Sequence, residues 1–243
     1  MTKNLNALII GLSIIITAGI LAHSFKTRNK LNNTISVTGL GKQDFVSDLI
    51  VWNGRFMEKS TNLKEAYAGL DKKREYIKNY LLSKGIKMDK IVFSSVNIEK
   101  EYDDEFNNEG KKIKSVFTGY ALHQSVQIES NEVDKVENIS RQITELINAG
   151  IEIYSDMPQY YYTKLAELKI RMIAEATKDA NLRAQKIASN AQASIGHLKK
   201  ADMGVFQITG QNSSEDYSAG GSFNTTSKRK TASITIKLEY EVN

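Results

Sequence analysis

Residues 176–188, ATKDANLRAQKIA, place alanine at positions 176, 180, 184 and 188. Residues four apart share one side of an α-helix, so these methyl groups form a narrow, flat stripe that lets another backbone approach closely. The stripe belongs to a long helix expected over about residues 163–191. Beyond it, residues 203–209 read as a short strand, and residues 210–230, rich in Gly, Ser, Asn and Thr, as a mobile surface loop. The chain closes on Ile234, Ile236, Leu238, Tyr240 and Val242 alternating with Ser233, Thr235, Lys237, Glu239 and Glu241, a strand with one wet face.

Upstream, residues 151–162 are extended and contain the single proline, Pro158, and residues 131–149 form a helix ended by Gly150. Val116, Thr118, Tyr120, Leu122, Val126 and Ile128 alternate on a strand that Gln124 interrupts. Residues 99–110 are acidic and asparagine-rich and read as a hairpin loop after a strand at residues 91–98. A helix carrying Leu63, Ala66, Tyr67, Leu70, Ile77 and Leu81 precedes that strand, capped by Ser60 or Thr61 and closed by Gly85. Residues 45–57 are apolar on both faces, as a central strand requires. Residues 34–37 form a short strand running into a turn at Gly39-Leu40-Gly41. The order is ββαββαβαββ, an α+β protein with helices packed on mainly antiparallel sheets. Two intimately packed lobes are expected within residues 31–243: a main lobe of residues 34–94 and 163–243, and an inserted lobe of about residues 95–162.

Residues 4–25 contain no Lys, Arg, Asp or Glu. A helix of that length spans about 33 Å, enough for a hydrocarbon core of about 30 Å. Residues 1–30 therefore read as an N-terminal transmembrane anchor, or as a signal segment cut after Ala22-His23-Ser24. Lys3 precedes the segment and Lys26, Arg28 and Lys30 follow it, a distribution that by itself favours a cytoplasmic body.

Charge narrows the partners. The chain has 33 Lys and Arg against 28 Asp and Glu, a formal net charge of +5. Setting aside the four cations of the first thirty residues leaves +1 on the body. Such a body lacks the electrostatic footprint of a nucleic-acid binder. The chain has no cysteine, which excludes disulfides, thiolate metal sites and thiol nucleophiles.

The candidate motifs resolve mostly to structure. Ser36 and Gln43 stand where a phosphate loop around Gly41-Lys42 needs a Gly and a Ser or Thr, and Asp44 stands where a dinucleotide fingerprint needs its third Gly. His23, His123 and His197 lack the partners of a metal site or a catalytic triad. Glu99, Glu101, Asp103, Asp104, Glu105 and Glu109 lack the order of a calcium loop. No catalytic, cofactor-binding or metal-ligating residue is assigned. Tyr160, Tyr161 and Tyr162 are expected to divide between core and an interaction surface.

Several stretches together resemble the SIMPL-domain family. Ile35-Ser-Val37-Thr-Gly39-Leu-Gly41 resembles its opening strand and glycine turn. Gly85-Ile86, Asp89, Ile91 and a strand ending at Tyr102 resemble its helix-to-strand passage. Gly119-Tyr120-Ala121 with Val126 and Ile128 resembles its GYxA…VxV strand. The alanine-rich helix followed by Ile195-Gly196, and the alternating final strand, fit as well. The loop at residues 211–227 departs from the pattern. The resemblance implies a membrane-anchored or periplasmic bacterial protein with no defined catalytic residues. Relatives are linked to stress tolerance and to homo-oligomeric assemblies. On that ground the body is expected outside the cytoplasm, either tethered by a single pass or released to the periplasm after signal cleavage. The expected activity is non-catalytic: homo-oligomeric assembly or binding of an envelope partner, in envelope or oxidative stress. The alternatives are a hydrolase using carboxylates such as Asp48, Asp179 or Asp202, and a small-ligand binder between the two lobes.

Overall fold

The computed structural model describes residues 2–30 and 33–243, with side chains described for residues 11–25 and 33–243. Helix α1 (Thr2–Lys30) leads into the body. Among the described residues, no helix is long and apolar enough to cross a membrane. Every described side chain from Leu12 to Phe25 is nevertheless exposed. The side chains of Lys3, Lys26, Arg28 and Lys30, on which the orientation of this segment was read, lie outside the described residues.

The body contains two antiparallel sheets. In the first, β10 (Arg229–Val242) lies between β1 (Thr34–Val46) and β8 (Ile195–Met203), and β9 (Gln207–Gly210) pairs with the start of β10. Helix α4 (Leu165–Asn190) covers one face, burying Leu168, Met172, Ala176, Ala180 and Ala184 against Val37, Ile234, Ile236 and Leu238, and Ala188 is buried too.

The contact is set by glycine on the strand side. A methyl group at Gly39 would stand 2.1 Å from the Ala176 carbonyl oxygen and 2.4 Å from the Ala180 nitrogen. One at Gly41 would stand 2.4 Å from the Met172 carbonyl oxygen. Gly39 and Gly41 are thus not a turn, as their spacing suggested, but the middle of a 13-residue strand. The missing Cβ, not backbone freedom, is what the position requires.

In the second sheet, β2 (Leu49–Ser60) is central, but it is not covered on both faces as its apolar pattern suggests: Ile50, Trp52, Gly54 and Phe56 are buried and the residues between them are partly or fully exposed. It pairs with β5 (Lys112–Ser130) on one side, and with β6 (Ile153–Ser155) and β7 (Gln159–Tyr161) on the other. Strands β3 (Ile91–Phe93) and β4 (Asn97–Phe106) line the far side of β5. Helices α2 (Leu63–Ser83) and α3 (Val133–Gln142) cover one face and enclose Trp52, Phe56, Leu70, Ile77, Leu122 and Ile128. Trp52 is fully buried because its Nε1 finds a partner, donating to Ser155 Oγ at 2.9 Å.

Several boundaries differ from expectation. Residues 49–94 pair and pack with the second sheet, so the inserted lobe spans residues 49–162 and the outer lobe combines 34–46 with 163–243. The acidic stretch is a strand as well as a loop, because β4 pairs with β5 as far as Phe106. Strand β8 was unforeseen: all its residues from His197 on are exposed, so it carries no alternation to read. The helix expected to reach residue 149 tightens into a 3₁₀ turn at residues 143–149 and stops at left-handed Gly150.

The Ser/Gly/Asn loop is pinned. Gln207, itself buried, donates through Nε2 to the Ser218 carbonyl at 2.7 Å and accepts from the Ser222 amide at 2.9 Å. Ile208 and Asn224 add backbone bonds across the same loop.

Gly39→Ala is expected to lower unfolding free energy by about 2 kcal/mol or more in a denaturant titration, since overpacking against backbone has no rotamer to relieve it. Gly220→Ala, whose Cβ would meet only Ser218 Oγ at 3.9 Å, should stay within about 0.5 kcal/mol.

Candidate functional site

The chain crosses between the lobes at residues 46–49 and again at 161–165, and side chains tie the crossings together. Asp48 accepts from the Thr163 amide and hydroxyl, both at 2.7 Å, and Asn131 Nδ2 donates to the Asp48 carbonyl at 2.8 Å. The three tyrosines lie at this joint. Tyr160 is buried in the core of the inserted lobe, and its hydroxyl donates to Glu137 at 3.1 Å. Tyr162 packs on the other core, 4.8 Å from the Phe45 ring. Tyr161 is half-buried and donates to Gln159 at 2.7 Å. Tyr161 is in neither core cluster.

A buried amine sits beside them. Lys230, 2% exposed, donates to the Tyr160 carbonyl across the joint. Burial pushes its amine down to about 8, against a smaller opposing pull from Glu215. Its neighbour Lys228 bonds Asp134 and Glu137 of the opposite lobe. Burial raises the Glu137 carboxyl, but Lys228 and Tyr160 outweigh it and hold the group below its ordinary value. A notch of about 420 Å³ opens here, lined by Ser47, Asp48, Asn131, Asp134, Lys135 and Lys228. Lys230 is legible in hindsight: it has the parity of Ala232, Ile234 and Ile236, so the same alternation turns it inward.

A second cleft, about 440 Å³, lies on the sheet face opposite α2 and α3. Strand register brings its parts together: Arg55 stands opposite Ser125 and Tyr154, and Met57 opposite His123. The wall opposite Tyr154 is Ser94, Ser95 and Asn97, where β3 breaks before β4 begins. Gln124 Nε2 fixes the break by donating to the Ser94 carbonyl at 2.8 Å, while its own Oε1 is buried without a protein partner. Arg55 donates through Nε and Nη2 to Asp156 at 2.9 and 2.7 Å. His123 lies 3.6 Å from Glu99.

The other singled-out residues are dispersed. Asp179 accepts from the Leu40 amide at 2.8 Å and pairs with Arg183, contacts that hold its carboxyl below the ordinary range. Asp202 pairs with Lys200 on β8, at the opposite edge of sheet one from Leu40. Asp48 is at the joint, so the three carboxylates do not converge. His197 is exposed on β8, and His23 lies in α1. Among the described residues, no group of three His, Asp or Glu could hold a metal ion.

Residues 35–242 match the family model described as SIMPL, a protein of unknown function (DUF541). The chain belongs to the SIMPL family. No curated protein matches it. The SIMPL match begins in β1 and ends in β10, so it spans both sheets and the whole inserted lobe.

The buried amine makes a signed prediction for this SIMPL protein. Below pH 8 both folded and unfolded chains carry the Lys230 proton, and the cost of burying the cation is present in full. A fall from 10.5 to about 8 corresponds to about 3 kcal/mol. Between those values the unfolded chain binds more protons, so stability rises with pH. The stability of the wild type relative to Lys230→Met should therefore increase by up to about 3 kcal/mol between pH 7.5 and 10.5 in urea titrations.

Proposed function

We propose that this SIMPL protein is tethered to a membrane by α1, carries its body outside the cytoplasm, and works by homo-oligomeric assembly or by binding an envelope partner. The observation that supports the tether is the exposure of every described side chain of α1 from Leu12 to Phe25. Leu12, Ile14, Ile15, Ile16, Ile20, Leu21 and Phe25 all face outward around the helix. A helix apolar on every side belongs inside a larger core or in lipid. Leaving a Leu, Ile or Phe side chain in water forfeits about 1.5–3 kcal/mol. Protection against envelope or oxidative stress is carried over from the resemblance to SIMPL relatives. Uncleaved retention is preferred over release after Ala22-His23-Ser24.

No catalytic role is assigned, because Asp48, Asp179 and Asp202 each serve a local structural contact. A ligand-binding reading is favoured by one observation, the cleft beside Tyr154. Tyr161, partly exposed and in neither core, is the residue of the tyrosine run assigned to a partner surface.

Fractionation should leave the full chain in the membrane pellet after an alkaline carbonate wash, and a periplasmic reporter fused after Val242 should be active. Recovery in the supernatant overturns the tether, and activity of a cytoplasmic reporter alone overturns the orientation. Light scattering of the full chain in detergent should give a mass above one protomer, reduced by Tyr161→Ala. A wild-type monomer overturns assembly, and an unchanged mass in the variant overturns the role of Tyr161.

A further inference from the structure

We propose that the cleft on the open face of the second sheet binds an uncharged sugar ring, seated against Tyr154 with its hydroxyls toward Ser95, Asn97, His123 and Ser125. Charge decides the class first. The Arg55 guanidinium and the His123 imidazole each already face a carboxylate. Arg55 gives two donors to Asp156 at 2.9 and 2.7 Å, and His123 lies 3.6 Å from Glu99. A charged ligand would have to displace one of these partners, so the site suits a neutral one.

The free polar groups decide the chemistry. Among the described residues, neither the Ser95 nor the Ser125 hydroxyl makes a hydrogen bond to protein, and Asn97 uses only its Nδ2, toward Glu99 at 3.1 Å. Each hydroxyl both donates and accepts, and the Asn97 carbonyl oxygen accepts. Such a set matches a ligand whose own groups do both, as sugar hydroxyls do.

The apolar part of the lining is Met57 and the half-exposed ring of Tyr154. Tyr154 is fastened at its far end, its hydroxyl donating to Glu152, which leaves the ring body for contact. A pyranose has this two-sided character, C–H groups on its faces and O–H groups around its rim. A volume of about 440 Å³ admits one or two such rings. The open mouth leaves part of the sugar in water, so millimolar affinity is expected.

The test is saturation-transfer NMR on the full chain in a detergent without a sugar headgroup, with glucose and N-acetylglucosamine as probes. Transfer to the ring protons is expected. It should weaken at least tenfold in apparent affinity with Tyr154→Ala, and severalfold with Ser125→Ala or Asn97→Ala, each checked for native circular dichroism. Absence of transfer from either sugar overturns the proposal, as does transfer that Tyr154→Ala and Ser125→Ala both leave unchanged. Preferential binding of acetate, or of an uncharged tripeptide amide, overturns the assignment of class. The outcome is independent of tethering and assembly, which are read by fractionation and mass.

Discussion

The outer lobe depends on one close approach, the backbone of Gly39 and Gly41 lying against the alanine stripe of α4. Neither side works alone. The stripe spares the strand a bulky side chain, and the glycines spare the helix a Cβ at 2.1–2.4 Å from its own backbone atoms. Packing at this distance fixes the register of α4 on β1, and Asp179 completes it by reaching the Leu40 amide. The rest of the lobe follows: β10 pairs with β1 along its full length, and β8 and β9 attach to β10.

The joint between lobes obeys a different rule. Instead of apolar burial it uses polar groups that cannot easily be left alone: the Asp48 carboxylate on Thr163, the Lys230 amine on the Tyr160 carbonyl, and Lys228 on two acids of α3. Of these groups the Lys230 amine lies in a dry place, where removing its partner costs more than the bond itself contributes. The two lobes are thereby held in one arrangement, although each has its own core.

Alternation and stripes are readable wherever one face of an element is dry, and the long helices, the central strand and the final strand all meet that condition; the N-cap of α2, expected at Ser60 or Thr61, is instead Asn62, which accepts from the Lys64 amide at 2.9 Å. The reading failed where that condition does not hold. Strand β8 is wet from His197 on, β4 carries acids on a ribbon with little core beneath it, and the glycines of β1 mimic a turn because local pattern cannot report a helix some 140 residues away. The division into lobes was misplaced for a related reason: which sheet a strand joins is a question of pairing. The cleft beside Tyr154 was likewise invisible, since its residues come from strands that only register brings together.

The insertion of residues 49–162 between β1 and α4 has a consequence for how the molecule is made. Thr34 and Glu239, bonded across the main sheet, are 205 positions apart, whereas the inserted lobe is built from far more local pairings. A ribosome therefore releases a complete inner lobe long before the last strand of the outer one emerges. When that inner lobe closes, it brings together Asp48 and Thr163, which are 115 residues apart, and converts a long entropic loop into a short clamp. The first strand then waits, its partner edge open, until β10 has been made.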